Sequence, residues 1–132
     1  MTASPAPSFD AWLAEARQSE NAAKIGMYLT HVGVVRESAR ARVRLGDTSA
    51  APVTGMVFSY NADKVDTAIR AAYELPGIYC VKVWLAEGTL RVGDDIMRVL
   101  IGGDIRPHVL EALTTLVGTI KNECVQEQEL HS

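Results

Sequence analysis

Four short runs of β-branched and other apolar residues occur along the chain as two neighbouring pairs, and this arrangement constrains the fold more than any other feature. The runs cover residues 25–36, 53–60, 78–85 and 95–101. Amphipathic segments precede, separate and follow the two pairs, so the predicted order of elements is αββαββα. Strands that follow one another directly in sequence favour antiparallel pairing. We therefore expect an α+β fold in which helices cover one side of a mainly antiparallel sheet.

Three segments have the spacing and the boundary residues of helices. The first follows Ser8, a good N-cap, and spaces its apolar residues three or four apart: Phe9, Trp12, Leu13 and Ala16. The second follows Asn61 or Asp63, either of which can cap it, and stops before a Pro-Gly pair. The third extends from about Pro107 to Lys121, because proline lacks an N–H and is favoured in a first helical turn.

The segments between the predicted strands differ in character. Residues 37–52 are polar, and we predict a loop there. Alternating arginines in this loop could contact an acidic partner or nucleic acid, but a solvated loop or a guarded edge strand is favoured because no aromatic residues are interleaved with them: Arg40, Arg42 and Arg44. Gly88 and Gly93 lie between the third and fourth strands, as is typical of a hairpin connection.

The composition fits one domain. A chain of 132 residues that is 48% hydrophobic can form a real core, since a protein of this size buries roughly two-thirds of its unfolded surface. We expect a single domain over residues 8–132 and a disordered tail over residues 1–7, which lack the features of a secretion signal. No apolar run approaches the roughly 20 residues that a membrane-spanning helix needs, so no membrane association is expected.

Charge and cysteine content exclude several functions. Thirteen Lys and Arg residues against sixteen Asp and Glu residues give a net charge of -3, which argues against a general nucleic-acid binder. Cys80 and Cys124 are too few and too far apart to form a cysteine metal cluster. We expect two free thiols, a cytoplasmic location, and neither a bound metal nor a cofactor.

The segment "IGGDIRPHVLEAL", residues 101–113, admits two interpretations. Two glycines, Arg106 and the exposed N–H groups of a helix start could together bind an anion. Alternatively, Asp104 caps the helix and Gly102–Gly103 simply form the preceding turn. From local sequence alone the capped helix is the more frequent case, but both interpretations remain open.

Three longer blocks, taken in order, resemble the large, catalytic subunit of molybdopterin synthase. They are "GMYLTHVGVVR", "VFSYNADKVDTAI" and "LAEGTLRVGDDIMRVLIGGDIRPHVLEAL". The resemblance implies an α/β hammerhead fold and a two-fold homodimer. It further implies that a small ubiquitin-like subunit inserts a thiocarboxylated tail, whose sulfur is transferred to cyclic pyranopterin monophosphate, an anionic pterin. No metal is needed for that transfer.

The resemblance also implies roles for individual residues. Arg36, at the end of the first strand, and Arg106, at the start of the last helix, match arginines of the family, and Lys121 matches its first catalytic lysine. Arginine suits phosphate and carboxylate oxygens because it binds them in a bidentate manner. Lysine can act as a nucleophile or carry a proton. We therefore expect Arg36, Arg106 and His108 to bind substrate and Lys121 to take part in catalysis.

The chain departs from the family pattern at two positions. Ile105 stands where the family usually has a histidine, and His108 is the nearest candidate to replace it. Gln128 stands near the family's second lysine, between Glu127 and Glu129. The sequence is thus expected to be a divergent, C-terminally shortened member. A catalytically degenerate binding or regulatory module with the same fold remains the alternative.

Spacing predicts how the cations are brought together. Arg106 and Lys121 are fifteen positions apart, which corresponds to roughly 22 Å along a straight helix. One small ligand cannot contact both, so we expect a symmetric dimer with a pocket shared between subunits. Lys121 could instead only complement the helix dipole. His31 is interpreted as a packing residue rather than a ligand, since no Cys/His cluster accompanies it.

Overall fold

The strands form two three-stranded antiparallel sheets within residues 5–37 and 52–131, which the computed structural model describes. The first sheet has the order β1 (Met27–Val34), β5 (Asp95–Gly103), β3 (Ile78–Leu85). The second sheet has the order β4 (Gly88–Arg91), β2 (Val53–Tyr60), β6 (Val125–His131). The α+β class and the antiparallel pairing are confirmed, but the expectation of one sheet is wrong. The predicted arginine-rich loop lies largely outside the described residues.

The three predicted helices are present as α1 (Phe9–Arg17), α2 (Ala62–Tyr73) and α3 (Arg106–Thr119). The hydroxyl of Ser8 accepts a hydrogen bond from the N–H of Ala11, and the side chain of Asn61 accepts one from the N–H of Lys64 at 3.0 Å. Asn61 rather than Asp63 therefore caps α2. A short 3-10 turn, Ala22–Lys24, leads from α1 towards β1.

The third helix ends earlier than the sequence predicts. It gives way to a π-helical turn, Ile120–Cys124, in which Ile120 and Cys124 are buried. This wide turn leads directly into β6, a strand that the sequence does not predict. Glutamate and glutamine are weak strand formers, and β6 is held instead by its backbone ladder with β2, in which Phe58 is paired with Glu127 and Met56 with Glu129.

The second unpredicted strand lies between β3 and β5. These two strands pair directly, with Val83 opposite Val99, as the hairpin-like spacing predicts. The intervening chain, however, crosses to the second sheet and forms β4 against β2. Gly88 and Gly93 have φ values of +104° and +94°, which only glycine adopts readily, and they permit the turns at either end of this excursion.

Strand β5 lies at the centre of the core. Val99, Leu100 and Ile101 each have 0% exposed surface. Because successive strand residues face opposite sides, Val99 and Ile101 contact the main core formed with α2, α3 and the second sheet, whereas Leu100 packs beneath α1. Helices therefore cover both faces of the first sheet, which corrects the expectation that they would cover one.

The N-terminal end of the described chain is attached to β5. The backbone carbonyl of Pro7 accepts a hydrogen bond of 2.7 Å from the Arg98 guanidinium, so the last residue of the expected disordered tail is bonded to β5. Residues 1–4 of that tail lie outside the described residues. No helix in the described part of the chain is long and apolar enough to cross a membrane.

Two leucines of α3 provide a test of this packing. Leu116 is 2% exposed and Leu110 is 47% exposed. We expect Leu116→Ala to lower the free energy of unfolding by about 2–5 kcal/mol, because it leaves a cavity in the main core. Leu110→Ala, with the same loss of side chain in the same helix, should change it by less than about 0.5 kcal/mol. Urea unfolding followed by circular dichroism measures both, and equal losses would contradict the placement of α3.

Candidate functional site

A pocket between the two sheets brings together charged side chains from distant parts of the sequence. Its apolar floor consists of Met56, Ile96 and Met97. Its polar lining is supplied by β1 and the residues that follow it, by the π-helical turn, and by β6: His31, Arg36, Lys121, Glu127 and Glu129. Two of the four predicted site residues, Arg36 and Lys121, therefore meet in one place within a single chain.

Backbone structure fixes the position of each side chain in this pocket. His31 and Gly33 lie two residues apart on one face of β1, and Arg36 follows the end of that strand. Hydrogen bonds between Val35 and the β4–β5 turn hold the strand end: the Val35 N–H donates to the Asp94 carbonyl at 3.0 Å, and the Val35 carbonyl accepts from the Gly93 N–H at 2.8 Å.

Lys121 is held by the π-helical turn. Ile120 and Cys124 point into the core, with 0% and 3% exposed surface, which leaves Lys121 exposed at the pocket rim. The carbonyl of Cys124 also accepts a 2.8 Å hydrogen bond from the N–H of Asn61, which attaches the end of this turn to the start of α2. The orientation of Lys121 thus depends on the burial of Ile120 and Cys124, and not on a conformational preference of lysine.

His31, which the sequence predicts to be a packing residue, lines this pocket. Burial lowers its pKa from the usual 6.5, and the nearby positive charge of Lys121 lowers the pKa further. The imidazole is therefore neutral at pH 7. No local sequence signal indicates this placement, because Lys121 and the glutamates that share the pocket lie about ninety residues or more further along the chain.

The pocket is balanced in charge. Arg36 and Lys121 contribute two positive charges, and Glu127 and Glu129 contribute two negative charges, so the formal sum is zero while His31 is neutral. Protonation of His31 would raise the sum to +1. In the sequence these two carboxylates only flank Gln128, and their placement inside the pocket cannot be predicted without β6.

The other two predicted site residues lie at the opposite end of α3. Arg106 begins the helix and is exposed, and His108 lies within its first turn. The structure does not bring either residue to the pocket of the same chain. The separation between Arg106 and Lys121 that their spacing predicts is thus retained.

The first turn of α3 binds an internal carboxylate. Asp104 accepts a hydrogen bond from the N–H of Ile105 at 2.7 Å and another from Nδ1–H of His108, also at 2.7 Å. The hydrogen bond from His108 is the largest cause of a lowered pKa for Asp104. A Cβ atom at Gly77, whose φ is +74°, would overlap this carboxylate, so glycine is required there.

This geometry corrects the second interpretation of "IGGDIRPHVLEAL", because Gly102 and Gly103 belong to strand β5 rather than to a turn, and Asp104 does not cap the helix. Ile105 occupies the N-cap position without a side-chain hydrogen bond, and the Asp104 carboxylate accepts from the N–H of Ile105 itself, which precedes the helix. The Asp104–His108 pair fixes the ring of His108, with Nε2 as the nitrogen that is not bonded to Asp104.

The remaining candidate groups are the two cysteines and the possible metal ligands. Cys80 and Cys124 are free and buried, and burial raises the pKa of both thiols. No group of three or more His, Cys, Asp or Glu side chains in residues 5–37 and 52–131 is arranged to hold a metal ion.

Comparison with known proteins identifies the family. Residues 7–123 match the family model described as MoaE protein. The chain belongs to the MoaE family. This membership confirms the resemblance to the molybdopterin synthase large subunit that the three sequence blocks carry. No curated protein shows significant sequence similarity to this MoaE chain.

Solved structures show the same fold at low sequence identity. The molybdopterin synthase structure from Staphylococcus aureus is 16% identical, with a TM-score of 0.67 over 83% of this chain and 77% of that chain. A complex of subunits 1 and 2 of molybdopterin-converting factor from Helicobacter pylori is 18% identical, with a TM-score of 0.65 over 93% and 75%. Molybdopterin cofactor biosynthesis protein E from Burkholderia multivorans is 19% identical, with a TM-score of 0.70 over 97% and 84%.

The electrostatic coupling of His31 to Lys121 can be measured directly. We expect the pKa of His31, followed by NMR titration, to lie below 6.5. Lys121→Gln should raise this pKa only in part, since burial is the larger cause. Lys24→Gln, which removes a charge outside the pocket, should leave it unchanged. A pKa of His31 that does not respond to Lys121→Gln would contradict the pocket geometry.

A stability profile tests the same group by a second route. Because the folded pKa of His31 is lower than the unfolded value, the unfolded state binds the proton first as pH falls below 6.5. Stability from this group is therefore full above pH 6.5 and declines below it, until the folded protein is also protonated. His31→Phe should flatten this part of the profile in urea unfolding between pH 7 and pH 5, and an unaltered slope would count against the burial of the imidazole.

Asp104→Asn tests the internal carboxylate. The folded pKa of Asp104 is below its usual value of 3.8, so its contribution to stability is present above pH 3.8 and is lost as pH falls through the folded pKa. We expect the variant to be less stable than the wild type at pH 7, with the difference shrinking towards pH 3 in chemical unfolding. Asp66→Asn, at an exposed position of α2, is the matched control and should show no such convergence.

Proposed function

We propose that this MoaE chain is the large subunit of a molybdopterin synthase and transfers sulfur from a thiocarboxylated small subunit to cyclic pyranopterin monophosphate. The observation that carries the proposal is the pocket in which Arg36 and Lys121 meet. These are two of the three cations that the resemblance assigns to the reaction. The H. pylori neighbour, a complex of two subunits of molybdopterin-converting factor, supports a small-subunit partner.

The cations and the apolar residues of the pocket suit a substrate that has a phosphate group and a flat ring. Arg36 can bind phosphate or carboxylate oxygens through two parallel hydrogen bonds. Lys121, exposed at the rim, can approach the reacting carbonyl of the small subunit's tail or the pterin itself, and can serve there as nucleophile or proton carrier. Met56, Ile96 and Met97 offer an apolar surface beneath the ring.

Arg106 and His108 take part through a second copy of the chain. Their distance from Lys121 along α3, roughly 22 Å by helix geometry, prevents them from contacting the same ligand within one subunit. A two-fold dimer that places the start of one α3 beside the other subunit's pocket would add a guanidinium and an imidazole to it. Because Asp104 fixes His108 through Nδ1, Nε2 is the atom that would face the substrate.

A second candidate function is a binding or regulatory module that kept the fold and lost the sulfur transfer. Glu127 and Glu129 inside the pocket favour it, because carboxylates oppose an anionic substrate. Ile105 and Gln128, which replace residues that the family pattern uses, favour it as well. The two functions differ in one outcome, namely whether a bound small subunit yields product.

The proposed role of Lys121 is tested by its removal. The pure protein is mixed with a thiocarboxylated small subunit and cyclic pyranopterin monophosphate, and formation of the dithiolene product is followed by mass spectrometry. We expect Lys121→Ala to reduce the rate by at least about a hundredfold, the usual scale for losing a proton-transfer group. Lys24→Ala, distant from the pocket, should retain the wild-type rate.

Three results would contradict the proposal at different levels. A Lys121→Ala variant that works at the wild-type rate would remove the role of this residue. A wild-type protein that binds the small subunit but forms no product would leave the binding module as the function. A monomer in light scattering at micromolar concentration would exclude the shared pocket.

A further inference from the structure

The two glutamates of the pocket form a defined acidic wall. Glu127 and Glu129 are two residues apart on β6, so their side chains leave the same face of the strand, roughly 7 Å apart. Gln126 and Gln128 alternate with them and are exposed on the opposite face. The chain therefore directs its carboxylates into the pocket and its carboxamides towards solvent.

The position of this acidic wall is fixed by the second sheet. Glu127 is opposite Phe58 and Glu129 is opposite Met56 in the β2–β6 ladder. Phe58 is 1% exposed and Met56 is 7% exposed, so β2 cannot shift without disturbing the core. The hydroxyl of Thr54 also donates to the Leu130 carbonyl at 3.2 Å, just beyond the acidic wall. The carboxylates are thus part of a set register rather than of a free tail.

A purely anionic ligand would be a poor match for this pocket. The charges of Glu127 and Glu129 cancel those of Arg36 and Lys121, and carboxylates close to a phosphate weaken its binding. A complementary ligand has an anionic group at one end and hydrogen-bond donors at the other. The apolar floor of Met56, Ile96 and Met97 between the two ends fits a flat ring.

We infer that Glu127 and Glu129 accept hydrogen bonds from the N–H edge of a 2-amino-4-oxopyrimidine ring while Arg36 holds the phosphate of the same molecule. This inference rests on the proposed function, which supplies a phosphorylated pterin as the substrate class. The 2-amino group and the neighbouring ring N–H form a guanidine-like pair of donors, and a carboxylate accepts such a pair through two parallel bonds. The acidic wall is thereby a specificity determinant for the heterocycle.

Glutamine variants separate recognition from simple charge neutralisation. Binding of neopterin monophosphate and of ribose 5-phosphate, which has a phosphate but no heterocycle, is measured by isothermal titration calorimetry with the full chain. The Glu127→Gln/Glu129→Gln double variant should bind neopterin monophosphate at least tenfold more weakly, because hydrogen bonds to charged groups are lost. The same variant should bind ribose 5-phosphate several-fold more tightly, because repulsion is removed.

A matched control removes the same kind of charge outside the pocket. Glu123 lies exposed in the π-helical turn and does not line this pocket. Glu123→Gln should leave the ratio of the two affinities unchanged. Thermal unfolding of each variant shows whether its fold is retained, and the single variants Glu127→Gln and Glu129→Gln provide folded substitutes if the double variant is unstable.

The outcomes distinguish this inference from the proposed function. If the variants bind both ligands more tightly, or neither affinity changes, the acidic wall only neutralises charge and the inference is overturned, while wild-type sulfur transfer would still support the proposed function. If the wild-type protein binds no neopterin monophosphate and forms no dithiolene product, both are overturned. Opposite changes for the two ligands support the inference.

Discussion

Burial of β5 on both faces is the constraint on which the rest of the structure depends. Val99, Leu100 and Ile101 are closed to solvent, and β5 pairs with β1 on one side and β3 on the other. A strand of this kind must be covered twice, once by α1 and once by the assembly of α2, α3 and the second sheet. The second covering is what places β6 and the π-helical turn opposite the end of β1. The pocket is the space left between β1 and this second covering.

The pocket combines a rigid frame with an unusual charge balance. Its cations come from a strand end and a wide helical turn, and its carboxylates come from the edge strand of the other sheet. Each group is therefore positioned by a different element, and no local sequence motif contains the site. His31 adds a group that is neutral at pH 7 but can gain a charge in acid. The formal charge of the pocket is thus a balance between opposite signs rather than an excess of one sign.

The sequence predicted those parts of the fold that have strong local signals. Ser8 and Asn61 mark helix starts through their side-chain caps, and the four apolar runs correspond to β1, β2, β3 and β5. The segment "VQEQELH" gave no comparable signal, because its alternation is between carboxylates and carboxamides rather than between apolar and polar residues. Its strand state comes from pairing with β2, a long-range contact that composition does not encode.

The site shows the same difference between residues with a local sequence signal and residues placed by long-range contacts. Arg36 and Lys121 were predicted through the resemblance to a family, and the pocket contains both. Glu127 and Glu129 could not be placed there without β6, and His31 could not be distinguished from a packing residue of β1. The Asp104–His108 hydrogen bond follows from a spacing of four residues at a helix start, but only the positive φ of Gly77 makes room for the carboxylate.

Side chains alternate along β6, so a change of length at its junction with the π-helical turn would change which residues line the pocket. Inserting one residue at that junction would reverse which side chains face inward, since strand residues alternate with a period of two. Gln126 and Gln128 would then replace both glutamates, and the cavity would change from electrically balanced to cationic without any substitution of an amino acid. A change of length in this short stretch could thus convert one ligand preference into another in a single step.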